Sequence, residues 1–203
     1  LDHVWEEFEE LVNLSWRAFP LEIINKRPAP RHIVDQEWPL VAVQEPLAPC
    51  IAWPHEEYLS TTLLAYEAYK SAFLQSPVKS RNFDLKLRRA FFYEGRRIDK
   101  NDVLCEIASE SNLEVDKIQN DLERRKFEKA VMQDYNDSMN LRDKNNIPMT
   151  SPTLIFPNGK VVHNPYASDK KIENGKLTEV HAPVAYGEDV YEGFRRIVRE
   201  GLL

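Results

Sequence analysis

Cysteine and glycine are both scarce in this chain: its 203 residues include two cysteines, Cys50 and Cys105, and six glycines. Two thiols so far apart, at neither CxxC nor metal-ligand spacing, exclude a disulfide-stapled scaffold and a cysteine-built zinc site. So few glycines leave little for a phosphate-cradling loop, and GxGxxG, GxxxxGK and GxSxG motifs are all absent. Five histidines (His3, His32, His55, His163 and His181) are scattered without an HExxH-like pair, so no metal is expected. There is no basic excess either. Lys and Arg number 27 against 33 Asp and Glu, a net charge of −6, which argues against a nucleic-acid partner. No apolar run approaches the ~20 residues of a membrane helix, and the chain does not open on an export signal. The expectation is a cytoplasmic protein with no membrane partner and reduced thiols.

What is present is an ordinary globular composition, 42% hydrophobic and 30% charged. Val4, Trp5, Phe8, Leu11 and Val12 recur at helical spacing among glutamates, the pattern of an amphipathic helix. From Asn13 the period becomes two: Leu14, Trp16 and Ala18 alternate with Asn13, Ser15 and Arg17, which predicts a strand ending at Phe19-Pro20. Residues 20–54 then hold seven of the thirteen prolines together with Trp38 and Trp53. That stretch reads either as an ordered, functional surface loop or as a packed connection.

Residues 55–139 carry helical periodicity. One stripe joins Leu59, Thr62, Leu63, Tyr66, Tyr69 and Phe73, a second Phe83, Leu87, Ala90 and Phe91, with Ser76-Pro77 between them. Shorter helices follow around Leu104, Ile107 and Ala108 and around Ile118 and Leu122, then a long one through Val131 and Tyr135. These aromatic stripes are expected in the core. The segment Pro152–His163 reads as a hairpin turning on Asn158-Gly159. Residues 166–187 read as a polar connection, and a last helix from about Glu188 buries Tyr191, Phe194, Ile197 and Val198.

Without the helical block, the order of elements is α-β-α-β-β-α. Three stretches carry a family resemblance: Val12 to Glu22; Leu85 to Leu122, above all Ala90 to Ile98 and Val103 to Ala108; and Met149-Thr150-Ser151-Pro152-Thr153-Leu154-Ile155-Phe156. Together they resemble the DsbA-like thiol–disulfide oxidoreductases, in which an all-helical domain is inserted into an α/β thioredoxin-like fold. The resemblance implies a discontinuous thioredoxin-like domain over residues 1–55 and 140–203 and an inserted helical domain over 56–139. It further implies that the strand at 12–19 pairs in parallel with the one starting near Pro152.

The same resemblance makes Ser151-Pro152 a cis-proline loop; the alternative is a trans Pro152 opening an edge strand. Ser151, Pro152 and Thr153 would hold the backbone of a protein or small-molecule thiol or disulfide substrate, with Phe19 and Trp53 as apolar walls of the cleft. The catalytic Cys-x-x-Cys of the family is not in the chain and is expected ahead of Leu1. Cys50 and Cys105 read as inert structural thiols, not bonded to each other. No cofactor is implied by the oxidoreductase reading. Kappa-class glutathione transferases and 2-hydroxychromene-2-carboxylate isomerases share the fold and use glutathione, but Asn164-Pro165-Tyr166 stands where the kappa class is expected to bind it. A third reading is a binding module without catalytic thiols.

Overall fold

The structure is a computed structural model that describes residues 2–45, 47–145, 152–163, 165, 170–174, 176–180, 185 and 187–203. Helices dominate it. A short α1 (Asp2–Trp5) runs into hydrogen-bonded turns as far as Leu11, and an extended segment leads to α2 (Leu21–Ile24). Next come α3 (Arg31–Gln44), α4 (Leu63–Gln75), α5 (Pro77–Phe92), α6 (Asn101–Glu110), α7 (Val115–Glu123) and α8 (Glu128–Asn145). The strands β1 (Thr153–Ile155), β2 (Val161–His163), β3 (Lys170–Glu173) and β4 (Lys176–Val180) precede α9 (Glu188–Leu202).

Small residues set the packing of the helical body. α4 turns Ala65, Ala68 and Ala72 inward, all at most 4% exposed, and this lets α5 approach closely with Phe83, Leu87, Ala90 and Phe91. Leu104, Ile107 and Ala108 of α6 and Ile118 and Leu122 of α7 close the same core, which reaches back to Val34 and Trp38 of α3 and to Trp53. Ser76 caps α5: its hydroxyl accepts the Lys79 N–H, and Pro77 occupies the first turn, where no N–H is needed. Gly95 stops the chain after α5 at φ +65°, and any side chain there would run into the Pro54 ring. Polar groups are paired across the core: Arg125 grips the buried Glu67 at 2.7 Å, and Ser71 and Lys126 both donate to Asp121.

A second, smaller core joins the chain ends. Val4 and Phe8 pack with Tyr191, Phe194 and Ile197 of α9, against Leu154, Phe156 and Val162 of the first hairpin. Arg195 reinforces the junction by donating to both carboxylate oxygens of Glu7, at 2.7 to 3.0 Å. Gly201 lies directly against the Phe156 ring, where only glycine leaves room.

Five sequence expectations need correction. Residues 12–20 form no strand, and β1 pairs only with β2, antiparallel, among the described residues. The alternation is nevertheless real: Asn13, Ser15 and Arg17 are exposed, while Leu14 and Trp16 are half-buried and Ala18 is buried. The segment is extended and one-sided but lacks a ladder partner, because the first hairpin packs on α1 and α9 and the Ala18 N–H is taken by a side chain. The proline-rich stretch contains a full helix, α3, with Pro39 inside it; Pro28 and Pro30 precede the helix start, and Val34 and Trp38 bury one turn apart. The polar connection contains a second antiparallel hairpin, β3 with β4. The first aromatic stripe is core only in part: Leu59 is buried and Tyr69 packs against the core, but alanines take the inner face of α4, Phe73 is 46% exposed, and Tyr66 and Tyr69 line a cleft. Finally, the first hairpin turns on three residues, not two. Phe156 and Lys160 are paired around Pro157-Asn158-Gly159, and Gly159 adopts φ +85°.

Candidate functional site

The extended segment 16–20, with the start of α2 at Leu21 and Glu22, lies across the helical body and encloses with it a cleft of about 360 Å³. One wall is the segment itself, with Trp16, Ala18 and Phe19. The opposite wall comes from α4 and α5 through Tyr66, Tyr69, Leu87 and Phe91. Trp38 of α3 and Tyr58 and Leu59, just before α4, complete the lining. The surface is predominantly apolar and aromatic, as small-molecule sites generally are.

Two carboxylates hold the segment in place. Asp134 of α8, 2% exposed, accepts the Ala18 N–H at 3.0 Å, Arg17 at 2.7 Å and Lys70 at 2.6 Å. Burial alone would raise its pKa, but the Ala18 N–H, Lys70 and Arg17 outweigh burial and hold the carboxyl below its usual range. At the other end, Glu22 accepts the Thr62 N–H and the Thr61 and Thr62 hydroxyls, satisfying a free donor at the start of α4. Tyr66 donates to the Phe19 carbonyl at 3.3 Å, and the Arg88 guanidinium sits 5.1 Å over the Trp16 ring while pairing with Asp84 at 2.8 Å. Every cation on the lining (Arg17, Lys70 and Arg88) therefore already faces a carboxylate.

Of the residues singled out in the sequence, Phe19 lines this cleft. Trp53 does not: it is 2% exposed and stands behind the wall, its ring 5.3 Å from Tyr58 and 5.5 Å from Phe91 and its indole N–H donated to the Glu57 carbonyl. Pro152 is exposed and Thr153 pairs with His163 in the hairpin; neither reaches the cleft lining. Ser151, and with it the Ser151-Pro152 bond, lies outside the described residues. Cys50 and Cys105 are both free and half-buried. Burial pushes the Cys50 thiol up to about 11, and burial, then Asp102 and Glu123, raise that of Cys105. Among the described residues no group of His, Cys, Asp and Glu is placed to hold a metal ion, and no helix is long and apolar enough to cross a membrane.

Sequence reasoning missed Asp134, Glu22, Tyr58 and Trp38 as cleft residues. No local pattern marks them, since each acquires its role from segments distant in the chain.

A family model described as Thioredoxin matches residues 32–178. The chain belongs to the thioredoxin family. The match runs from α3 through the helical body and both hairpins, so this thioredoxin-family chain is mostly helical with small sheets. No curated protein and no solved structure matches it.

Proposed function

We propose that this thioredoxin-family protein is a thiol–disulfide oxidoreductase or dithiol–disulfide isomerase of the DsbA-like type, with the helical body as its inserted domain. The family match over residues 32–178, with Pro152 at the mouth of β1 directly after the helical block, carries the reading. In this mechanism a low-pKa thiolate attacks a substrate disulfide, one substrate sulfur leaves as thiolate, and a second enzyme thiol resolves the mixed disulfide. Cys50 and Cys105 are not those thiols, because each is held protonated near neutral pH. Ser151, Pro152 and Thr153 present the substrate backbone.

The protein expressed from its complete gene tests this through dithiothreitol-coupled reduction of insulin. Turnover that persists when Cys50 and Cys105 are both changed to Ser supports the proposal. No turnover with either protein contradicts it.

A second reading is a thioredoxin-fold binding module without catalysis, which suits a sequence whose two cysteines, Cys50 and Cys105, form no Cys-x-x-Cys. A dithiol titration of the complete protein that finds no reactive pair selects it.

A further inference from the structure

Two hydrogen-bond donors on the cleft lining have no acceptor. The Tyr58 hydroxyl makes no hydrogen bond among the described residues, although the side chain is half-buried in an aromatic cluster with Trp53 and Phe91. The Trp38 indole N–H is likewise unpaired there, in a residue that is only 8% exposed and packs edge-on against Phe91 and Phe92. Other hydroxyls on the lining are engaged: Tyr66 reaches the Phe19 carbonyl, and Thr61 and Thr62 reach Glu22, while the Glu37 Oε1 atom is buried there without a hydrogen-bond donor. An indole N–H can only donate, and neither this N–H nor the Tyr58 hydroxyl is among the fully enclosed unpartnered atoms, so both stay open to an acceptor that enters from solvent.

The charges on the lining narrow the class of ligand. Arg17 and Lys70 are engaged by Asp134 and Arg88 by Asp84, and Glu22 adds a further carboxylate, held by Thr61 and Thr62. Among the described residues of the lining, every cation already has a carboxylate partner, and none is left to receive a carboxylate or phosphate from a ligand. A volume of about 360 Å³ suits one compact molecule, and the flat walls of Trp16, Phe19 and Phe91 suit a ring system. We propose that the cleft binds a single uncharged aromatic molecule carrying a carbonyl oxygen, which accepts hydrogen bonds from Tyr58 and Trp38. This site stands independently of the thiol chemistry proposed above and does not involve Pro152.

Prodan, a neutral naphthalene ketone whose emission shifts to the blue on leaving water, is the probe. It is titrated into the full chain beside its ketone-free parent, dimethylaminonaphthalene, and the corresponding naphthoic acid. The wild type binds prodan saturably with a blue shift, and binds the acid at least tenfold more weakly, roughly the loss for an unpaired charge in such a site. Tyr58→Phe, which removes only the hydroxyl, weakens prodan about fivefold and leaves the ketone-free parent unchanged. Ala29→Trp, placing a ring in the cleft, abolishes binding while circular dichroism stays that of the wild type. The proposal is overturned if prodan does not saturate, if the acid binds as tightly, if the ketone-free parent matches prodan, or if neither substitution alters prodan binding.

Discussion

The Asp134 carboxylate accepts the backbone N–H of Ala18 at 3.0 Å across 116 positions of sequence. An ion-paired carboxylate on α8 thereby does for the extended segment what a neighbouring strand does in a sheet: it takes up a backbone donor and fixes the segment over the helical body. The cleft depends on this bond, on the Arg17 and Lys70 pairs that share the carboxylate, and on the Glu22 clasp at the other end.

Asp134→Asn keeps the shape and an acceptor oxygen for Ala18 but removes the charge facing Lys70 and Arg17. The expected cost is about 1–3 kcal/mol, the range for a hydrogen-bonded charge lost from a buried site and not a fully buried pair, because Arg17 is 66% exposed. Urea denaturation of both proteins measures it. An unchanged midpoint would mean that the segment is held by apolar packing alone.

The same pair has a defined pH signature. Against the upward push of burial, the Ala18 N–H, Lys70 and Arg17 lower the Asp134 pKa in the folded state. A lowered folded value contributes stability above the unfolded value of about 3.9, and that stability is lost as pH falls through the folded value. The stability difference between wild type and Asp134→Asn is therefore full at neutral pH and shrinks as pH drops below about 4. Denaturation series over acidic pH check it; a difference that grows on acidification has the wrong sign.

Gly201→Ala sets two effects against each other. Alanine favours the helix by about 1 kcal/mol, but its methyl meets the Phe156 ring where the hairpin rests on α9. Overpacking of this kind costs about 1–3 kcal/mol, so the net change is destabilising. The melting temperature falls, and Phe156→Leu in the same chain recovers part of the loss.

Cys50 with a pKa of about 11 is thiolate to the extent of only on the order of one part in ten thousand at pH 7. Its reaction with a disulfide reagent such as dithionitrobenzoate is accordingly slow at neutral pH and accelerates about tenfold per pH unit toward the pKa. Fast labelling of Cys50 at neutral pH would contradict its burial in the native state.

Much of the helical body was legible because periodicity is local. Ser76-Pro77 announces the start of α5, and the spacing of Tyr191, Phe194 and Ile197 shows the buried face of α9. α3 was hidden by its own prolines: Pro39 argues against a helix, although Val34 and Trp38 sit one turn apart and Pro28 and Pro30 fall before its first residue. The β3–β4 hairpin had a signal in Asn174-Gly175, set between two polar runs that mask the alternation. On α4 the aromatic side chains drew attention to the wrong face, because alanines make the close contact with α5 and leave Tyr66 and Tyr69 for the cleft. The alternation at 13–18 is a true record of one-sided burial; what it could not reveal is that Asp134, far along the chain, replaces a strand partner.

The most direct test of the functional reading is mass spectrometry of the protein from its complete gene, with Cys50→Ser and Cys105→Ser, after mixing with a peptide disulfide and quenching in acid. The account predicts a mixed disulfide, one peptide mass added through a thiol other than these two. An unmodified protein under these conditions, beside a wild type that is modified only at Cys50 or Cys105, would contradict it.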